Sequence, residues 1–206
     1  MRSIRVGMTL FACAWAASAS AQLAPPAVDW TRGTELTLQA GRASASSTSG
    51  ATVGASVQWD LSRWVAVQGR ASWFDRGFDA TAFGGDLNAL VNLVARRAVT
   101  PFVGIGGGVY RASFGSAGAT MPAFYRDRLT TPGVGATSRF TDPALRVTAG
   151  VDLVGQAPRR HWTVRPEVSL VTVFAGGGTE TIATVLVGVG YRFRASDRGD
   201  ARERRP

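Results

Sequence analysis

The sequence predicts an all-β protein: an eight-stranded antiparallel up-and-down transmembrane β-barrel. Three observations carry that prediction. The segment Thr181–Phe193 alternates strictly, with Ala183, Val185, Val187, Val189, Tyr191 and Phe193 on one face and Ile182, Thr184, Leu186, Gly188, Gly190 and Arg192 on the other. A period of two is a strand, and an apolar face that ends in aromatics suits a strand leaving lipid at an interface. The chain also opens with an export leader, and the connections between its candidate strands alternate between short and long.

Arg2 and Arg5 form the positive end of the leader, Val6–Ala17 its apolar stretch, and Ala19-Ser20-Ala21 a small-x-small site. Cleavage before Gln22 is expected, and the apolar stretch is too short to span a membrane. Residues 1–21 are thus read as signal peptide, 22–33 as a periplasmic linker, 34–193 as the barrel and 194–206 as a charged tail. Leu10-Phe11-Ala12-Cys13 loosely resembles a lipoprotein site, but Phe11 fits it poorly. Cys13 is the only cysteine. A chain processed before Gln22 therefore has no disulfide or thiolate metal site, and closure of a sheet in lipid is the remaining route to stability.

The net charge is +9, falling to +7 without Arg2 and Arg5, and every basic residue is Arg. A GC-rich genome accounts for that usage; guanidinium groups also pair well with lipid phosphates. Scattered arginines on an exported chain argue against nucleic acid. No apolar run of about eighteen residues follows the leader, which argues against membrane helices.

The first candidate strand, Thr34–Ala43, sets Leu36, Leu38 and Ala40 against Glu35, Thr37 and Gln39. The second, Thr52–Asp60, sets Val53, Ala55, Val57 and Trp59 against Ser56, Gln58 and Asp60, and Leu61-Ser62 turns the chain. The third, Arg63–Asp75, opposes Val65, Val67, Ala71 and Trp73 to Gln68, Arg70 and Ser72. The fourth, Phe83–Ala95, opposes Leu87, Ala89, Val91 and Leu93 to Asp86, Asn88 and Asn92. In the fifth, Thr100–Phe114, Val103, Ile105 and Val109 face outward and Gly104, Gly106 and Gly108 inward; the glycine run is compatible with a bulge. The sixth, Ala144–Gly155, opposes Leu145, Val147, Val151 and Leu153 to Arg146, Thr148 and Asp152. The seventh, Trp162–Phe174, opposes Val164, Val168 and Leu170 to Arg165, Glu167 and Ser169, with Pro166 marking a weak point or a bulge. Thr181–Phe193 is the eighth. Turns at Leu61-Ser62, Arg96–Val99 and Gln156–His161 then fall on the periplasmic side. The longer segments Ser44–Gly50, Arg76–Ala82, Gly115–Pro143 and Ala175–Thr179 fall outside, as bacterial barrels prefer.

The leader, the Thr100–Gly106 opening of the fifth strand and the closing Val187–Phe193 together resemble the small bacterial outer-membrane barrels of the OmpA/OmpX-like class. The resemblance covers about Thr34 to Phe193. It implies an outer-membrane location and a C-terminal aromatic signal at Phe193, supported by Tyr191, for the barrel-assembly machinery. The tail Arg194–Pro206 departs from the pattern. It reads as a charged end, or as a contact with anionic lipid or a partner.

The expected inward charges are Glu35, Arg70, Asp86, Arg146, Asp152, Arg165, Glu167, Glu180 and Arg192. An eight-stranded interior is about filled by side chains, so these charges must pair. The expectation is a polar plug with Arg70, Arg146 and Arg165 as central members; which acid meets which arginine stays open. The alternative is a narrow gated pore. A lipid A-modifying enzyme would need a nucleophile, a base and an orienting acid. Only His161, with Thr163 and Glu167, approaches that pattern, and His161 falls at the periplasmic end. A soluble lipocalin-like binder would need an apolar interior, which these inward faces do not supply. The longest loop offers Phe124, Tyr125, Arg126 and Arg128 as surface contacts, since loops on rigid scaffolds often bind. The reading is therefore a non-catalytic, monomeric outer-membrane barrel with a structural or surface-interaction role. It has no cofactor or metal, and its expected surroundings are outer-membrane lipid and lipopolysaccharide.

Overall fold

A computed structural model describes residues 33–45, 48–77, 80–114, 125, 139–155 and 161–194. The expectations for the leader, the linker, the tail beyond Arg194, and Phe124, Arg126 and Arg128 lie outside these residues. Eight strands follow in chain order: β1 (Gly33–Ser44), β2 (Ser49–Asp60), β3 (Val65–Asp75), β4 (Thr81–Asn92), β5 (Val99–Ser113), β6 (Arg139–Val154), β7 (Trp162–Ala175) and β8 (Gly178–Arg194). Each pairs antiparallel with its neighbour, and β1 pairs β8, so the sheet closes into a barrel. Closure leaves no edge strand with unpaired backbone groups, which is what a hydrocarbon environment requires.

Alternation decides the two faces. Leu38 (64% exposed), Leu87, Ile105, Val147 and Val185 lie on the outside, while Glu35, Gln58, Arg70, Arg146 and Arg165 are buried in the lumen. An apolar exterior this extensive belongs in lipid, because soluble monomers rarely expose patches beyond a few hundred Å². Aromatics mark both rims. Trp59, Trp64, Trp162, Tyr191 and Phe193 are exposed around the end that carries both barrel termini, and Trp73 and Phe83 sit side by side toward the other. Tyr191 packs edge-on against Trp162 (5.3 Å) and Phe193 (5.0 Å).

The glycine run of β5 holds no bulge: its register continues unbroken with β4 and with β6. The glycines are there for packing. A Cβ on Gly108 would stand 2.6 Å from Asp86 Cα, and one on Gly106 2.7 Å from Asn88 Cα. Gly190 likewise leaves room for Glu35, whose Oε1 would be 2.8 Å from an added Cβ. Pro166 is also no bulge. The β6–β7 ladder lapses between Gly150↔Glu167 and Leu153↔Val164 and resumes in the same register, so the cost is local.

The sixth strand begins at Arg139, five residues before the expected start at Ala144. Pro143 does not stop it because the ladder to β7 begins only at Ala144, leaving Pro143 paired on one side, with Val109. At the other end the β2–β3 turn is held by Ser62, whose Oγ accepts from the backbone N–H groups of Trp64 (3.1 Å) and Val65 (3.0 Å).

Two outcomes are expected. The full chain should migrate differently on gels with and without boiling, as a closed, detergent-resistant barrel does. Gly108→Val should lower unfolding stability in micelles by about 2 kcal/mol through overpacking, whereas the outward Gly107→Ala, with room for its methyl group, should leave it unchanged or raise it by up to about 1 kcal/mol.

Candidate functional site

Among the described residues the lumen brings together six arginines (Arg70, Arg76, Arg96, Arg146, Arg165, Arg192) and seven carboxylates (Glu35, Asp60, Asp86, Asp142, Asp152, Glu167, Glu180). They stack in three layers along the barrel axis. Strand alternation aims most of them inward, and small residues opposite, such as Gly104, Gly106 and Gly190, leave volume for their long side chains.

The layer at the short-turn end is the densest. Arg165 Nε donates to Asp152 Oδ1 at 2.5 Å, and its NH2 donates to Asp152 Oδ2 (3.1 Å) and Gln58 Oε1 (2.8 Å). The Arg165 guanidinium also lies 5.0 Å from the centroid of the Phe102 ring. Arg96 projects from the β4–β5 turn into the same layer, donating to Glu35 Oε2 (2.9 Å) and Asp60 Oδ1 (2.8 Å). Arg192 pairs with Asp60 and approaches Glu35 at 3.9 Å. Thr163 Oγ1 donates to Glu35 Oε2 at 3.4 Å. Glu35 is thus the common acceptor of this end.

In the middle layer Arg70 holds Glu167 with two parallel hydrogen bonds, 2.5 and 2.7 Å, between β3 and β7 across the lumen. Both side chains are fully buried. Arg146 donates to Asp86 Oδ2 (3.0 Å) and Ser169 Oγ (2.8 Å), and Asn88 Nδ2 donates to Asp86 Oδ1 at 2.5 Å. At the long-connection end Arg76 donates to Glu180 Oε1 (2.6 Å) and Tyr110 OH (3.1 Å). An aromatic cap lies over this end: Tyr125 stacks on Phe140 (4.7 Å) and tilts against Phe114 (5.3 Å).

Glu35, Arg70, Arg146, Asp152, Arg165, Glu167 and Glu180 are buried and Asp86 and Arg192 half-buried in the lumen, where Arg70, Arg146 and Arg165 each hold a carboxylate. Four partners stand outside the expected set of inward charges. Asp60 shares the inward face of β2 with Ser56 and Gln58, the face on which its alternation places it. Arg76 continues the parity of Arg70, Ser72 and Phe74 one residue past its strand. Asp142 lies in the stretch of β6 read as loop. Arg96 had no signal: a turn residue reaches back through a long flexible stem. One expectation is corrected. Tyr125, placed among the loop's surface contacts, is fully buried and donates to Asp142 Oδ2 at 2.9 Å, because its ring completes the aromatic cap. Burial pushes its phenol well above the ordinary range, and the Asp142 carboxylate adds to that.

The residues of the enzyme alternative do not assemble. His161 Nδ1 lies 3.2 Å from the Arg192 carbonyl oxygen and its ring stacks on Tyr191. Thr163 serves Glu35, and Glu167 serves Arg70. Tyr191 and Phe193 face outward at the rim.

Residues 9–193 match the family model described as outer membrane protein beta-barrel domain. Among solved structures, the fold is similar to Neisserial surface protein A (15% identity, TM-score 0.60, covering 78% of this chain and 97% of that one). It is also similar to Ail of Yersinia pestis, solved with the heparin analogue sucrose octasulfate (13% identity, TM-score 0.50, 79% and 97%). The outer membrane enzyme PagL is more distant (15% identity, TM-score 0.45, 76% and 98%). No curated protein matches the sequence.

Removing one partner of a buried pair leaves an uncompensated charge. Arg70→Met alone should cost about 3–5 kcal/mol of unfolding free energy. The double change Arg70→Met with Glu167→Leu should recover most of it, read by urea unfolding in phospholipid micelles.

Proposed function

Because this chain belongs to the family of outer-membrane β-barrel domains, we propose that it is a non-catalytic barrel whose lumen is closed by Arg–carboxylate pairs and whose work is structural or surface-interacting. The family and the inside-out polarity place the protein in the bacterial outer membrane. The observation that carries the closed lumen is the Arg70–Glu167 pair, a fully buried bidentate bridge across the barrel's middle. Beside it in the middle layer stands the Arg146–Asp86 pair, with Arg165–Asp152 toward the short-turn end and Arg76–Glu180 toward the other. A cavity beside Asp86 and Arg146 holds about 10 Å³, room for no more than one water. Buried pairs of this kind resist rearrangement, since parting them means desolvated, uncompensated charge.

A non-catalytic role agrees with the fates of His161, Thr163 and Glu167, whose polar atoms are engaged in three different places. Phe193 serves as the residue read by the barrel-assembly machinery, with Tyr191 packed on it at 5.0 Å. The exposed rims face outer-membrane lipid and lipopolysaccharide.

In planar bilayers the purified protein should give no unitary conductance steps, and Arg70→Ala should stay silent while Arg96 and Arg165 still close the mouth. Steps in the unsubstituted protein that grow in Arg70→Ala would replace this reading with a gated pore. Phe193→Ala should reduce the heat-modifiable protein in the outer membrane without reducing the exported total.

A further inference from the structure

Among the described strands, β6 and β7 are the neighbours that lose their pairing partway and regain it. Pairing holds through Gly150↔Glu167, lapses for two rows and resumes at Leu153↔Val164. The rows passed over set Val151 against Pro166 and Asp152 against Arg165. Backbone alternation says which groups this affects. The Val154 N–H donates to the Ala98 carbonyl (2.8 Å), toward β5, and the Gly155 N–H to the Trp162 carbonyl (2.9 Å), toward β7. In an antiparallel strand one residue's N–H and C=O address the same neighbour, and successive residues alternate. Val151 therefore turns both groups to β7, where Pro166 has no N–H to give its carbonyl. Pro101 flanks Val151 on the other side, without the same effect. Its carbonyl accepts from the Leu93 N–H (2.8 Å), so its nitrogen points away from β6. A carbonyl without a donor is costly in this wall, because Val164, Pro166 and Val168 face outward toward hydrocarbon.

Directly behind the lapse stands the Arg165–Asp152 pair. The two residues oppose each other at a row without backbone bonds, where facing side chains come closest. Arg165 donates to both carboxylate oxygens of Asp152, at 2.5 and 3.1 Å, and the side chains are 0% and 1% exposed. The Arg70–Glu167 pair reaches across the lumen from β3 to β7. Arg165–Asp152 instead ties adjacent strands, over the rows where the ladder fails. Glu35 and Arg192 also sit opposite each other, on β1 and β8, but 3.9 Å apart and on an unbroken ladder. Gly150 lets an aromatic ring close the same spot. An added Cβ there would stand 2.7 Å from Phe102 Cζ and 2.7 Å from the Pro166 carbonyl oxygen, and the Phe102 ring carries the Arg165 guanidinium at 5.0 Å.

We propose that this joint is a lateral seam in the barrel wall and that the Arg165–Asp152 pair is the latch that holds it shut. With the pair parted, β6 and β7 separate over Val151–Asp152 and Arg165–Pro166. The short-turn layer of the lumen then opens sideways through the wall instead of through the mouth. With the pair made, side chains supply the cross-strand bonds that Pro166 removes. The seam belongs to the wall, and it stands whether or not the axial path conducts.

The test is hydrogen–deuterium exchange on the full chain in phospholipid nanodiscs. Peptides covering 150–154 and 163–167 are compared with 144–149 and 168–173 of the same strands. Asp152→Asn leaves Arg165 its bond to Gln58. It should speed exchange in the seam peptides about tenfold or more, with the other rows unchanged. Asp86→Asn weakens a buried pair that joins non-adjacent strands, and should leave the seam as protected as before. Pro166→Val supplies the missing N–H. Alone it should slow exchange at the seam, and added to Asp152→Asn it should restore protection. A rise spread evenly over both strands in Asp152→Asn, or an equal rise at the seam in Asp86→Asn, overturns the proposal. So does unchanged exchange in Pro166→Val, a comparison that removes no charge and decides the question even if Asp152→Asn fails to fold.

Discussion

Closure of the hydrogen-bonded sheet is the constraint on which the rest depends. In hydrocarbon an unpaired backbone N–H or C=O costs several kcal/mol, so every strand needs two neighbours. The β1–β8 ladder from Gly33↔Arg194 to Ser44↔Ala183 supplies the last pairing. Once the sheet is closed, each residue faces either lipid or lumen, and the period-two alternation becomes an assignment of solvents. Apolar residues go outward because the outside is oil. Polar residues go inward, where they have only one another.

That inversion makes the lumen an electrostatic problem. Guanidinium and carboxylate groups confined to so narrow a space must be paired almost completely. Glu35 shows how closely the charges are shared: Arg96, Arg165, Arg192 and Thr163 all approach it. Such a network brings little stability relative to an apolar core, but it makes each member costly to remove singly. It also ties strands far apart in sequence, β3 to β7 through Arg70 and Glu167, and β4 to β6 through Asp86 and Arg146. The glycines inside β5 and β8 belong to the same design, because they leave the volume these side chains fill.

The outer wall obeys a different logic. There the outward glycines Gly85 and Gly107 have space before them. The lumen and the wall thus divide the protein's chemistry: inside, charges satisfy charges; outside, the irregular positions look toward the membrane.

Much of this was legible in the sequence, because a strand's side chains alternate faces and the pattern survives without tertiary knowledge. Faces, strand count and the inward placement of Arg70, Arg146, Arg165 and Glu167 follow from that alternation. What it could not contain were distances around a closed circle. Whether Arg70 meets Glu167 or Asp86 depends on the stagger at which β1 joins β8 and on which arginine spans the lumen. Arg96 in a turn and Tyr125 in a long connection have no period to reveal where they point, so only the folded chain brings one into the mouth and the other into the cap. The amino-acid order determined which solvent each strand residue faces, because that is a local, two-fold property of extended backbone. The partners within the lumen were decided by closure, because pairing across a barrel is a property of the whole sheet.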